Sequence, residues 1–290
     1  MSDRDIRIGL TGWGDHYSLY ETPQETNRKL HTYAGYFPVV ELDASFYAIP
    51  AQKTVEKWIA DTPASFQFIV KAYQGITGHQ RGEIPYMTKK EMFTAFEAAF
   101  KPLQEAGKLG AVLCQFPPWF DVRKEHIDYL RAVRAELSAF DTALEFRHQS
   151  WFTDQYREKT LDYMIRDQWI HSICDEPQAG EKSVPFVPVA TDENKTVVRL
   201  HGRNIAGWNS PASGEDWRAV RYLYDYSSAE LDQLSADLTA LNDQSSTLYV
   251  LFNNNSGGHA AANALDMISK LQLQYTGLAP KQIDLFSADE

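Results

Sequence analysis

The chain has 290 residues, 43% of them hydrophobic and 23% charged, a globular composition with length enough for a large core. A net charge of −11 excludes a general nucleic-acid surface, because phosphate backbones need a basic face, so long nucleic acid is not an expected partner. Two cysteines give no disulfide framework, no apolar run approaches the roughly 20 residues of a membrane span, and residues 1–7 do not read as a signal peptide. A cytoplasmic protein without membrane contact is expected, and protein partners are left open.

Taken in chain order, strand-like runs fall at 6–11, 39–43, 66–71, 111–116, 143–147, 170–175, 197–201 and 248–253. Helical patterns lie between and after them, at about 24–35, 52–61, 89–105, 123–138, 154–167, 215–224, 228–242 and 260–273. Strands alternating with helices make βαβ units and a parallel sheet. Eight units over residues 1–290 predict a single α/β domain, a (β/α)₈ TIM-type barrel. An open doubly wound sheet is the main competitor, weakened because no GxGxxG follows the first strand. Helix-to-strand returns are short, whereas strand-to-helix loops at 12–22, 72–88, 176–196 and 202–214 are long. Elaboration of one face points to a site at the C-terminal ends of the strands.

Side chains alternate across a strand, so each strand has an axis face and a helix face. With Val40 and Leu42 toward the helices, Glu41 and Asp43 point inward. The same rule points Glu145 and Arg147 inward opposite Leu144 and Phe146, and Arg199 and His201 inward opposite Val198 and Leu200. Lys71, Gln115, Asp175 and Asn253 end their strands and are assigned to the same mouth by position. Such charges could also be structural pairs, Glu41 with Lys71 for example, since buried charges need partners.

Several ordered motifs resemble a known family. They are Gly12-Trp13, Val40-Glu41-Leu42-Asp43-Ala44-Ser45-Phe46-Tyr47, Phe66-Gln67-Phe68-Ile69-Val70-Lys71, Gln115-Phe116-Pro117-Pro118 and Glu145-Phe146-Arg147-His148 with Ser150-Trp151. Arg199-Leu200-His201-Gly202-Arg203, Phe252-Asn253-Asn254, Gly258-His259-Ala260 and Asn263-Ala264 follow. Together they resemble the "domain of unknown function 72" family, also called YecE-like, across nearly the whole chain. The resemblance implies a TIM-barrel-like fold and no assigned activity. Thr77-Gly78-His79 departs from it, where a tighter Thr-His pair is implied.

Three chemical groups stand out. Glu41 and Glu145 are candidates for general acid and base, with His201 as proton carrier near neutral pH. Lys71, Arg147, Arg199 and Arg203 could hold a carboxylate or phosphate, as could the loop Asn253 to Gly258 before the last helix. Trp13 and Tyr47 follow strands directly and are the best-placed aromatic contacts, with Asp43, Gln115 and Asn253 completing the lining. Glu41, Glu145, Asp175 and His201 could supply a divalent metal, but Lys71, Arg147 and Arg199 oppose a cation and no ligand spacing supports one. No metal ligand is therefore assigned, and the cofactor is left unknown. Cys114 reads as a core residue, and neither cysteine has an evident activating partner. The favoured reading is an enzyme, of hydrolase or isomerase class, acting on a small anionic or phosphorylated, sugar-like substrate. A nucleotide or single-stranded nucleic-acid factor and a non-catalytic barrel serving protein interaction are the alternatives.

Overall fold

A computed structural model of the chain describes residues 5–80, 82–209 and 220–281. Eight parallel strands close into a barrel in sequence order: β1 (Asp5–Thr11), β2 (Val39–Leu42), β3 (Gln67–Lys71), β4 (Leu109–Gln115), β5 (Thr142–Glu145), β6 (Ile170–Asp175), β7 (Lys195–Leu200) and β8 (Thr247–Phe252). β8 pairs with β1 over Asp5↔Thr247 to Leu10↔Phe252, which leaves no free edge. Each predicted strand run overlaps one barrel strand.

Helices cover the outside: α1 (Pro23–Asn27), α2 (Lys29–Tyr33), α3 (Ala44–Tyr47), α4 (Gln52–Ala60), α5 (Lys89–Glu105), α6 (Lys124–Glu136), α7 (Arg157–Arg166), α8 (Ile205–Asn209), α9 (Ser228–Asn242) and α10 (His259–Lys270). The pattern at 24–35 is two short helices, because Arg28 adopts φ −124° and ψ 41°, outside the helical region. Most of the pattern at 215–224 lies outside the described residues. α5 starts where the Thr88 side chain accepts from the Glu91 amide, a good N-cap, and α9 starts with a full capping box between Ser227 and Glu230.

The core has two layers. Val39, Ile69, Ala111, Leu113, Ala143, Ile170, Val197, Tyr249 and Leu251 fill the barrel interior. A larger apolar cluster, which includes Val40, Leu42, Cys114, Leu144, Phe146, Val198 and Leu200, lies between strands and helices. Interior residues two apart along β2, β5 and β7 set the parity that turns Glu41, Glu145 and Arg199 toward the axis. Among the described residues, no helix is long and apolar enough to cross a membrane.

Candidate functional site

The site is built from the floor upward. Arg199 on β7 lies across the barrel axis, fully buried. Its Nε and one terminal nitrogen donate to the two oxygens of Glu41 at 2.8 and 2.7 Å. Its other terminal nitrogen donates to both oxygens of Glu145, at 2.8 and 2.9 Å, and to Gln115 Oε1 at 3.3 Å. The Thr11 hydroxyl donates to Glu41, and the Ser172 hydroxyl to Glu145. Glu41 therefore pairs with Arg199, not with Lys71, and Arg199 spends all three nitrogens on the protein's own acceptors. Arg199 thus meets the protein's own carboxylates where the sequence suggested a substrate anion. Burial would push the Glu145 carboxyl up, but Arg199 and Arg147 reverse this and hold it at about 2.

Above the floor stands His201, fully buried. Asn253 Nδ2 donates to its Nδ1 at 2.8 Å, which puts the ring proton on Nε2. Nε2 has no hydrogen-bond partner among the described residues and is 3.9 Å from Glu145 Oε1. Burial, reinforced by Arg147 and Arg199, holds this imidazole well below the ordinary histidine range, so it is neutral at pH 7. Arg147 Nε is 2.9 Å from Glu145 Oε1 but is not aligned as a hydrogen bond, and its terminal nitrogen binds Glu176. Glu176 also accepts from the Val184 amide at 2.7 Å, and burial pushes its carboxyl up to about 7.

The mouth is more open. Lys71 Nζ donates to Asp43 Oδ1 at 2.8 Å and lies 4.7 Å over the Phe46 ring. His79 Nδ1 is 2.9 Å from the Thr77 hydroxyl, and its ring meets Phe46 and Trp119 edge-on. Burial, helped by Lys71 and Arg147, lowers its pKa to about 4. Trp208 in α8 lies against Arg221, 3.8 Å from ring centre to guanidinium carbon, with Arg147 at 5.5 Å. Tyr47 is half-exposed on the rim beside Phe46.

Three residues named from sequence lie elsewhere. Asp175, expected at the mouth from its strand-end position, faces the helices. It binds Arg203 through Nε at 3.0 Å and the Tyr226 hydroxyl at 2.7 Å. Arg203 also reaches Glu230 at 3.2 Å, so it belongs to this outer network rather than to the axial cluster. Trp13 packs edge-on against Trp58 of α4, ring centres 5.8 Å apart, on the helix side of the first loop.

Sequence reasoning missed Cys174. Register pairs it with Arg199, so it points inward with Ser172. Cys174 Sγ, a ring nitrogen of His201 and a Glu145 oxygen lie within 4.8 Å of one another. These three suit a divalent ion poorly. Both Glu145 oxygens already accept from Arg199, and Lys71, Arg147, Arg199 and Arg221 all bear on His201 with positive charge. The missing signal was parity: the helix-facing Ile173 leaves Cys174, not Asp175, on the axis face.

Comparison with known proteins agrees with this architecture. The chain is 55% identical to the "UPF0759 protein YunF" of Bacillus subtilis over 281 residues, 97% of this chain and all of that one. A DUF72 family protein from Enterococcus faecalis has a crystal structure that superposes with a TM-score of 0.88 at 38% identity, covering 96% of this chain and all of its own. One from Thermotoga maritima gives 0.78 at 28% identity, covering 93% and 100%. The family described as "Protein of unknown function DUF72" matches residues 7–284, and the chain belongs to it.

Proposed function

We propose that the protein is an enzyme that binds a small anionic substrate at the barrel mouth and acts on it by acid–base chemistry. The observation that carries this reading is His201 Nε2–H, a buried donor without a partner among the described residues, oriented by Asn253 beside an ionised Glu145. A positioned, neutral imidazole that donates from Nε2 beside an ionised carboxylate that accepts puts a proton donor and a proton acceptor on one substrate oxygen. Lys71 and Arg147 stand around it as the cationic groups for the anion, with Gln115 and Asn253 as polar lining. Glu41 acts through Arg199, by fixing the guanidinium that in turn keeps Glu145 ionised.

The test is a thermal-shift screen of the purified protein against carboxylates, sugar phosphates and nucleotides. A ligand that binds only the folded state must raise Tm. We expect a shift with phosphorylated or carboxylated compounds that is lost in Lys71→Ala. No shift with any anion at millimolar concentration overturns the reading and moves the protein toward a non-catalytic role.

A further inference from the structure

We infer that the Cys174 thiol, the His201 imidazole and the Glu145 carboxylate enclose a subsite for one hydroxyl oxygen, so that the substrate carries a hydroxyl as well as its anionic group. This rests on the reading that an anion binds at the mouth.

The size of the triangle comes first. Corners within 4.8 Å of one another have a common point at most about 2.8 Å from each, which is hydrogen-bond length to nitrogen and oxygen. The 3.9 Å between His201 Nε2 and Glu145 Oε1 lets one oxygen bridge both. A sulfur needs more room, so that oxygen lies slightly toward the mouth from the plane of the three atoms.

The polarity of the corners then selects the group. Nε2–H donates, given that Asn253 donates to Nδ1. Glu145 is a carboxylate and only accepts. An atom between them must accept one hydrogen bond and donate another, and a hydroxyl does both. A carbonyl, carboxylate or phosphate oxygen would meet Glu145 with no proton to give, at a repulsive distance. The anionic group of the substrate therefore belongs on the other side, toward Lys71 and Arg147, and the hydroxyl toward Cys174. The apolar face of the Cys174 side chain limits the space. Its weak contact to the Ser172 carbonyl, 3.9 Å, holds the thiol along the strand, so Cys174 sets the size of the group admitted.

Matched probes separate this inference from the reading beneath it. Isothermal titration would compare lactate with propionate, and glycerol 3-phosphate with propyl phosphate. We expect the hydroxylated member of a pair to bind at least about tenfold tighter, the effect of a hydrogen bond to a charged group. One enantiomer of lactate should carry the preference. Equal binding within each pair overturns the hydroxyl subsite and leaves the anion reading standing. Binding of no member of either pair overturns both. Cys174→Val, which fills the triangle, should abolish the preference; a preference that survives it also overturns the assignment. The wild-type comparison decides the matter even if that variant does not fold.

Discussion

Arg199 lies fully buried between the carboxylates of Glu41 and Glu145. A guanidinium between two buried carboxylates is held by charge-assisted bonds on both sides, and removing it leaves two uncompensated charges in the core. Arg199→Met should cost about 3–5 kcal/mol, read as a fall in the urea midpoint. Replacing Glu41, Glu145 and Arg199 together by apolar residues should recover most of that loss. The polar floor is then there for the site above it rather than for stability. Alternation along strands made Glu41, Glu145 and Arg199 legible, because each lies between two large apolar residues that fix the parity, and His201 follows two residues after Arg199. Cys174 was missed because His171, Ser172 and Ile173 give no clean alternation, and Asp175 was assigned to the mouth by its strand-end position. The histidine at the mouth adds a pH dependence. His79 titrates at about 4 in the fold against an ordinary 6.5, so the unfolded chain takes up its proton first. Its contribution is fully present above pH 6.5 and is lost as pH falls toward 4. Glu145, held at about 2, keeps its contribution above pH 4.5 and loses it as pH falls toward 2. His171 and His201, also lowered by burial, act in the same direction as His79 between pH 6.5 and 4, while Glu176, pushed up to about 7, acts against them, so His79→Gln should reduce the slope in that window without removing it and leave the lower stage unchanged. Midpoints measured from pH 7 to pH 4 that keep the wild-type slope in His79→Gln would contradict this.

Strands were easier to read than helices for a physical reason. A buried parallel strand is a short apolar run bounded by turn residues, and each of the eight was visible as such. The short helices of the first two units were not. Between α1 and α2 a single non-helical residue breaks the turn, and α3 is one turn long. Glycine shows how tightly one element constrains the next. A Cβ on Gly9 of β1 would come within 2.0 Å of the Val39 carbonyl oxygen on β2, whereas one on Gly14, in the following loop, meets nothing within 4 Å. The β1–β2 pairing, with Gly9↔Val39 in register, leaves no room to relax. Gly9→Ala should therefore destabilise severely or fail to fold, while Gly14→Ala should stay within about 0.5 kcal/mol of the parent. Soluble yield and melting temperature of the pair check this directly.

Across the whole molecule, the two ends of the barrel do different work. At the N-terminal end, Tyr275 ties the last described segment to β1: its hydroxyl accepts from the Ile8 amide at 2.9 Å and donates to the Ile6 carbonyl at 3.0 Å. Lys195 makes a similar tie there, to Asp141 and the Gly110 carbonyl. These bonds satisfy backbone groups and touch none of the mouth residues. At the C-terminal end, Lys71, itself largely covered, pairs with a partly exposed Asp43, an ion pair that reaches water on the aspartate side and contributes modestly to stability. Stability and ligand binding should therefore separate. Tyr275→Phe removes both bonds and should cost about 1–3 kcal/mol, lowering Tm by several degrees, with the ligand-induced shift unchanged. Lys71→Ala should do the reverse, leaving the apo Tm near that of the parent and removing the shift. The two sites share no partner, so the double variant should show both effects added together. A Tyr275→Phe protein that also lost its ligand response would mean that the closing strand pair transmits strain through the barrel to His201 and Asn253. The mouth would then depend on closure of the whole ring rather than on its own loops.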